Sequence, residues 1–78
     1  MSSKSEPADG AKTIVPSDTA TLGYETKGIY VGGAGDVKVK SLDGNDVTFT
    51  APVGVVIPIV TEVVYSTGTT ATKLVGLY

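Results

Sequence analysis

The side chains in this sequence that could do chemistry fall into a few groups. Gly32-Gly33-Ala34-Gly35 has the glycine content of a loop that cradles phosphate. A dinucleotide-binding turn needs G-x-G-x-x-G opening a helix, and a P-loop needs a following Gly-Lys-Ser/Thr. Here Asp36 and an alternating apolar segment follow, so the glycines read as a strand connection that needs positive φ. Asp43-Gly44-Asn45-Asp46, with Asp36, supplies oxygens that could surround calcium. The alternating ligands and distal glutamate of an EF-hand loop are missing, and turn chemistry accounts for these residues. Asp18, Glu25 and Glu62 could serve a glycosidase only as a close pair, and their spacing brings no two together. They read as solvated acids on a β-surface. Tyr24, Tyr30, Tyr65 and Tyr78 could stack on sugar, anchor an interface or fill a core.

What is absent narrows the chemistry further. The chain has no His, Cys, Trp, Arg or Gln. Nucleophile–base pairs built on His or Cys are excluded, as are thiolate and ordinary zinc sites. No catalytic residue, cofactor or metal is expected, and the chain is read as a non-enzyme. The net charge is −2 and every cation is Lys. Lys38 and Lys40 make a pair rather than a basic patch, so direct nucleic-acid binding is not expected. No apolar run reaches the ~20 residues of a membrane-spanning helix. Met1–Lys12, rich in Ser, Lys, Glu and Asp, lacks the apolar centre of a secretion signal. The expectation is a protein made and assembled in the cytoplasm, with no membrane partner.

The elements that must position these residues are strands. From Gly28 onward the vocabulary is Val, Ile, Thr and Tyr, punctuated by Gly and Pro. Residues 1–12 are expected to be a flexible arm and residues 13–78 a single β domain. Thr13-Ile14-Val15 suits a short edge strand stopped by Pro16. Thr19–Glu25 has no pattern and reads as loop. Lys27–Gly32 is a strand. Asp36–Leu42 alternates Val37 and Val39 against Lys38 and Lys40, and Val47 and Phe49 alternate with Thr48 and Thr50. These two runs form the clearest hairpin. Keeping the four apolar residues on one face requires paired positions that sum to an even number. That excludes a two-residue Asp43-Gly44 turn. It favours a loop over residues 43–45, with Asn45 left-handed and Val39 opposite Phe49. Pro58 interrupts the next apolar run and marks an edge, a bulge or a crossing between sheets. Thr72–Tyr78 is a last strand, pinned in a sheet. The expected fold is all-β, a small antiparallel β-sandwich or barrel of six to seven short strands with no helix.

A domain of 78 residues without disulfide or metal has difficulty burying enough apolar surface alone. Charged residues are only 18% of the chain, below the usual quarter, which suits a surface partly buried between subunits. Self-association is therefore expected, with Tyr30, Val55, Ile57, Ile59, Tyr65 and Tyr78 as candidate interface or core residues.

The segments GIYVGGAGDVKV, DVTFTAPVGVVIPI and YSTGTTATKLVGLY, in this order and spacing, resemble the small spike-base and head-decoration proteins of tailed-phage capsids and gene transfer agents. The resemblance runs from about Ile14 to Tyr78. It departs from the pattern at Ala51-Pro52-Val53-Gly54, and at Val60-Thr61-Glu62 where basic residues are expected. It implies a virion structural protein on the capsid exterior, oligomeric as a pentamer or trimer. The implied partners are the major capsid protein and a spike or fibre. The competing reading is a carbohydrate- or receptor-binding β-module of a phage particle.

Overall fold

The computed structural model describes residues 9–78. Over these residues the chain forms seven strands in two antiparallel sheets and no helix, as the sequence pattern requires. The strands are β1 (Ala11–Thr13), β2 (Gly28–Gly33), β3 (Gly35–Ser41), β4 (Asp46–Ala51), β5 (Val56–Ile57), β6 (Thr61–Val64) and β7 (Thr72–Leu77). One sheet has the order β1-β7-β2-β5 and the other β4-β3-β6. Strand alternation decides what lies between them. Ile29 and Val31 of β2, Val37 and Val39 of β3, Val64 of β6 and Leu74 of β7 are buried almost completely and belong to one core cluster. Each such side chain contributes about 1.5–3 kcal/mol by leaving water.

The chain passes from the first sheet to the second between β2 and β3 through Ala34 alone. Gly35 has φ +155°, and a Cβ there would lie 2.6 Å from the Ala71 nitrogen. The crossing is held by Asp36, whose N–H donates to Thr70 Oγ1 (2.8 Å). Its carbonyl accepts from the N–H groups of Thr70 (2.8 Å) and Ala71 (3.1 Å). The chain returns to the first sheet between β4 and β5 and crosses to the second again at Pro58–Val60, between β5 and β6, so Pro58 does mark a sheet crossing.

The β3–β4 hairpin obeys the parity rule but not the expected loop. Val37 pairs with Phe49 and Val39 with Val47, so the pairs sum to 86 and not 88. The three loop residues are 42–44. Gly44 N–H donates to the Ser41 carbonyl (3.0 Å) and Ser41 N–H to the Asn45 carbonyl (2.8 Å). The left-handed residue is Gly44, at φ 93°, and not Asn45. Glycine adopts that conformation without the Cβ clash that asparagine carries, so the loop settles one residue earlier.

The N-terminal strand is displaced in the same way. It covers Ala11–Thr13 rather than 13–15, and Ile14 turns into the core at 5% exposure. Gly10 N–H donates to the Tyr78 carbonyl (2.8 Å) and Tyr78 N–H to the Gly10 carbonyl (2.9 Å). Residues 9–12 of the expected arm are thus tied to the last strand, and residues 1–8 lie outside the described residues.

The patternless stretch between β1 and β2 runs along the outer edge of β6. Ser17, Leu22 and Thr26 donate their N–H groups to the carbonyls of Val64, Glu62 and Thr61 (2.9, 2.7 and 3.0 Å). The buried Thr26 hydroxyl donates to the Ile59 carbonyl (2.8 Å). Asp18 fastens this loop to the loop before β7, accepting from Thr67 N–H (2.9 Å) and Thr67 Oγ1 (2.6 Å). Those bonds hold the Asp18 carboxyl below its ordinary 3.8. In the hairpin, the Ser41 hydroxyl and the Asn45 N–H do the same for Asp43.

Two outcomes follow. Gly44→Val places a β-branched residue in the left-handed region and should cost about 1–2 kcal/mol or more, while Asn45→Val should cost less. Urea unfolding of both variants measures the difference, and the reverse order would restore the 43–45 loop. The lowered carboxyls give a pH dependence of definite sign. The folded values lie below the unfolded ones, so the stability is present above about pH 4 and is lost as pH falls through the folded values. Asp18→Asn should therefore be less stable than wild type at pH 7 and converge with it as pH falls below the lowered carboxyl value. Parallel unfolding-midpoint curves over that range would remove the Asp18 fastening.

Candidate assembly surface

The six candidate interface or core residues do not form one surface. Ile57 is buried at 5%, paired with Ile29, and belongs to the core. Ile59 is half-buried and packs against that core. Val55 is half-buried in the turn before β5, where its carbonyl accepts from Val31 N–H (2.8 Å). Tyr65 is half-buried on the side of the β4-β3-β6 sheet. Its hydroxyl donates to Asp46 Oδ1 (2.8 Å), which raises its pKa, and Lys38 Nζ lies 5.2 Å from its ring centre. Tyr78 packs against Tyr24 with the rings tilted by 48° and their centres 4.7 Å apart, and the Lys12 ammonium covers both rings at 5.6 and 5.7 Å. Burial raises the Tyr24 hydroxyl above its ordinary pKa, with Tyr78 adding to the effect.

Tyr30 is different. Its neighbours Ile29 and Val31 point into the core, so its ring projects from the outer face of the four-stranded sheet, 39% exposed. Pairing places it in a row across all four strands. Thr13 of β1 lies opposite Val75 of β7, Val75 opposite Tyr30, and Tyr30 opposite Val56 of β5. The adjacent row carries Ala11 and Leu77. The Tyr30 ring lies on this face among Val56, Val75 and Leu77, with the exposed Lys73 beside Gly32 at one end, and Val56 is 47% exposed. Val56 and Val75 were missing from the expected set because an apolar residue on a two-sided apolar strand gives no sign of which way it points. The signal available was parity with Tyr30 across the sheet.

The opposite face of the domain is polar. Along the β3–β4 ladder Asp36 lies opposite Thr50, Lys38 opposite Thr48 and Lys40 opposite Asp46. Thr50 Oγ1 donates to Asp36 Oδ1 at 2.9 Å. The two outer faces are therefore unlike: one is apolar at its centre with Lys73 at one end, and the other carries paired charges.

Two features could hold a small molecule. A cavity of about 350 Å³ lies between β1 and the following loop, lined by Lys12, Thr13, Val15, Leu22 and Tyr24 among others. Its one ammonium already covers two rings. No cluster of three or more metal-ligating side chains occurs among the described residues.

No protein-family model matches the chain, and no curated protein matches it. A solved structure does. A chain of the capsid of a native gene transfer agent (GTA) particle, computed with C5 symmetry, superposes with a TM-score of 0.90. It is 32% identical, and the match covers 100% of this chain and 92% of that one. With fold, length and a third of the residues in common, the chain belongs among the capsid-related proteins of gene transfer agents and phages, as a virion structural protein.

Proposed function

We propose that the chain is a head-spike base or decoration protein that self-associates on the capsid exterior, binds the major capsid protein and presents a spike or fibre outward. Assembly takes place in the host cytoplasm. The observation that carries this reading is the end-to-end likeness to a chain of a gene transfer agent capsid. The two unlike outer faces support it. An apolar face gains free energy when a partner removes it from water, whereas a face of paired Lys, Asp and Thr is already satisfied in solvent. The Tyr30–Val56–Val75 face is accordingly assigned to the capsid and the Lys38–Lys40–Asp46 face to solvent.

The carbohydrate-binding alternative fits less well. Tyr30 is the most open of the four tyrosines, yet its cross-strand neighbours are valines, with no hydrogen-bonding groups to orient a sugar. Tyr24, Tyr65 and Tyr78 have ring faces already in contact with a lysine ammonium.

Binding of the purified protein to capsids stripped of it tests the reading. Tyr30→Ala should weaken occupancy about thirty-fold, the equivalent of about 2 kcal/mol for a buried aromatic anchor. Lys40→Ala, on the charged face, should leave occupancy unchanged. A wild-type protein that does not bind capsids, or a Tyr30→Ala variant that binds as well as wild type, would overturn it.

A further inference from the structure

Among the described residues Lys73 is the one non-glycine residue with positive φ, at 53°. In that left-handed region a Cβ crowds the following carbonyl oxygen, and glycine is the residue of least cost. The position lies in β7, beside the bend that carries β2 into β3. Val31 pairs with Leu74 and Gly33 with Thr72, so Gly32 stands opposite Lys73. A Cβ on Gly32 would lie 2.7 Å from the Lys73 Cβ and 2.7 Å from its carbonyl oxygen. The Lys73 side chain thus starts out over a strand that has no side chain of its own at that point. The bend accounts for the backbone conformation. It does not account for a lysine there, and strain of this kind is retained where a side chain is put to use.

Nothing within the described domain uses the ammonium. Lys12 and Lys38 lie over tyrosine rings, Lys27 pairs with Asp9, and Lys40 stands opposite Asp46 in the β3–β4 ladder. Lys73 is exposed and has no ion pair, side-chain hydrogen bond or ring contact with any described residue. Strand alternation sets it on the same outer face as Val75 and Leu77, where it is the one charged strand residue. On that face Tyr30 is flanked along β2 by Gly28 and Gly32. Val56 leans over the first, since a Cβ on Gly28 would lie 2.9 Å from Val56 Cγ1, and Lys73 lies over the second. Tyr30 therefore stands between a valine and a lysine.

We propose that Lys73 is a recognition residue of this face, pairing with a carboxylate of the capsid protein when the Tyr30–Val56–Val75 patch docks. The inference rests on the assignment of that face to the capsid and names the chemistry it must meet there. An ammonium drawn into an apolar contact loses hydration, and only an opposite charge offsets the loss. An apolar partner surface without an acid is thereby disfavoured. One with an acid at the edge of its patch is accepted in a single register. The lysine stem suits this place, because it covers apolar surface while its head reaches the rim of the contact.

The left-handed backbone separates recognition from folding in the test. Lys73→Gly relieves the crowding, so its urea unfolding midpoint should equal or exceed that of wild type. Its occupancy on capsids stripped of the protein should nevertheless fall about tenfold at low salt. Lys73→Arg keeps the charge and should bind like wild type. Added salt should narrow the gap between wild type and Lys73→Gly, since the lost interaction is a screened ion pair. Zero-length carbodiimide coupling of wild-type protein on capsids should join the Lys73 amine to a carboxylate of the capsid protein, read by mass spectrometry of the linked peptides. Two results overturn the inference while a Tyr30-dependent capsid contact stands: Lys73→Gly binding as well as wild type, or Lys73 linking to a second copy of this chain instead. Wild-type protein that does not bind stripped capsids overturns the capsid reading, and this inference with it.

Discussion

The bent strand from Gly28 to Ser41 is the constraint on which the rest of the domain depends. β2 and β3 belong to different sheets, yet one residue separates them and the core-facing parity never changes. Ile29, Val31, Val37 and Val39 all point inward, and each is fully buried. At the bend the inward positions are Gly33 and Gly35, where a side chain would run into Thr72 and into Ala71 and Thr70. The two sheets are thus positioned by a single stretch of backbone, and the loop before β7 is clamped to it through Asp36. A core of small β-branched side chains tolerates this arrangement because the inward positions on either side of the bend, Ile29, Val31, Val37 and Val39, are Val or Ile with few rotamers to lose.

This constraint also explains the unlike outer faces. Because parity is fixed along the bent strand, the even residues must be the outer ones. In β2 that makes Tyr30 external, and in β3 it makes Asp36, Lys38 and Lys40 external. The difference between an apolar and a charged surface is written into one alternating stretch of sequence, with Gly32-Gly33-Ala34-Gly35 as the boundary.

The parts of the structure visible in the sequence are those where side chains declare their environment. The β3–β4 hairpin was legible because Val37, Val39, Val47 and Phe49 share a period of two, and the exclusion of an Asp43-Gly44 two-residue turn follows from that period. The loop position was not, because two residues could take the left-handed conformation and only the three-dimensional pairing separates Gly44 from Asn45. The crossing at Pro58 was legible through its missing N–H. The division of Tyr30, Val55, Ile57, Ile59, Tyr65 and Tyr78 among core, turn and three separate surfaces was not. An apolar side chain has the same composition whether it faces the core or a neighbour.

The loop between β1 and β2 shows a different limit. Thr19–Glu25 carries no hydrophobic period, and it joins the fold through two isolated side chains, Leu22 against the core and Tyr24 against Tyr78, together with backbone bonds. The loop as a whole supplies N–H groups to the open side of β6 through Ser17, Leu22 and Thr26, and is fastened by Asp18 and by the Thr26 hydroxyl. Backbone donors are present in every residue except proline, so a segment that works through them need not repeat any side-chain type. The same reasoning applies to β4 in reverse. Its outward N–H and C=O groups leave no trace in residue type, and what distinguishes them is that no other element among the described residues reaches them. In a domain this small, backbone groups decide which margins of the fold are closed and which stay open, and residue type does not report which.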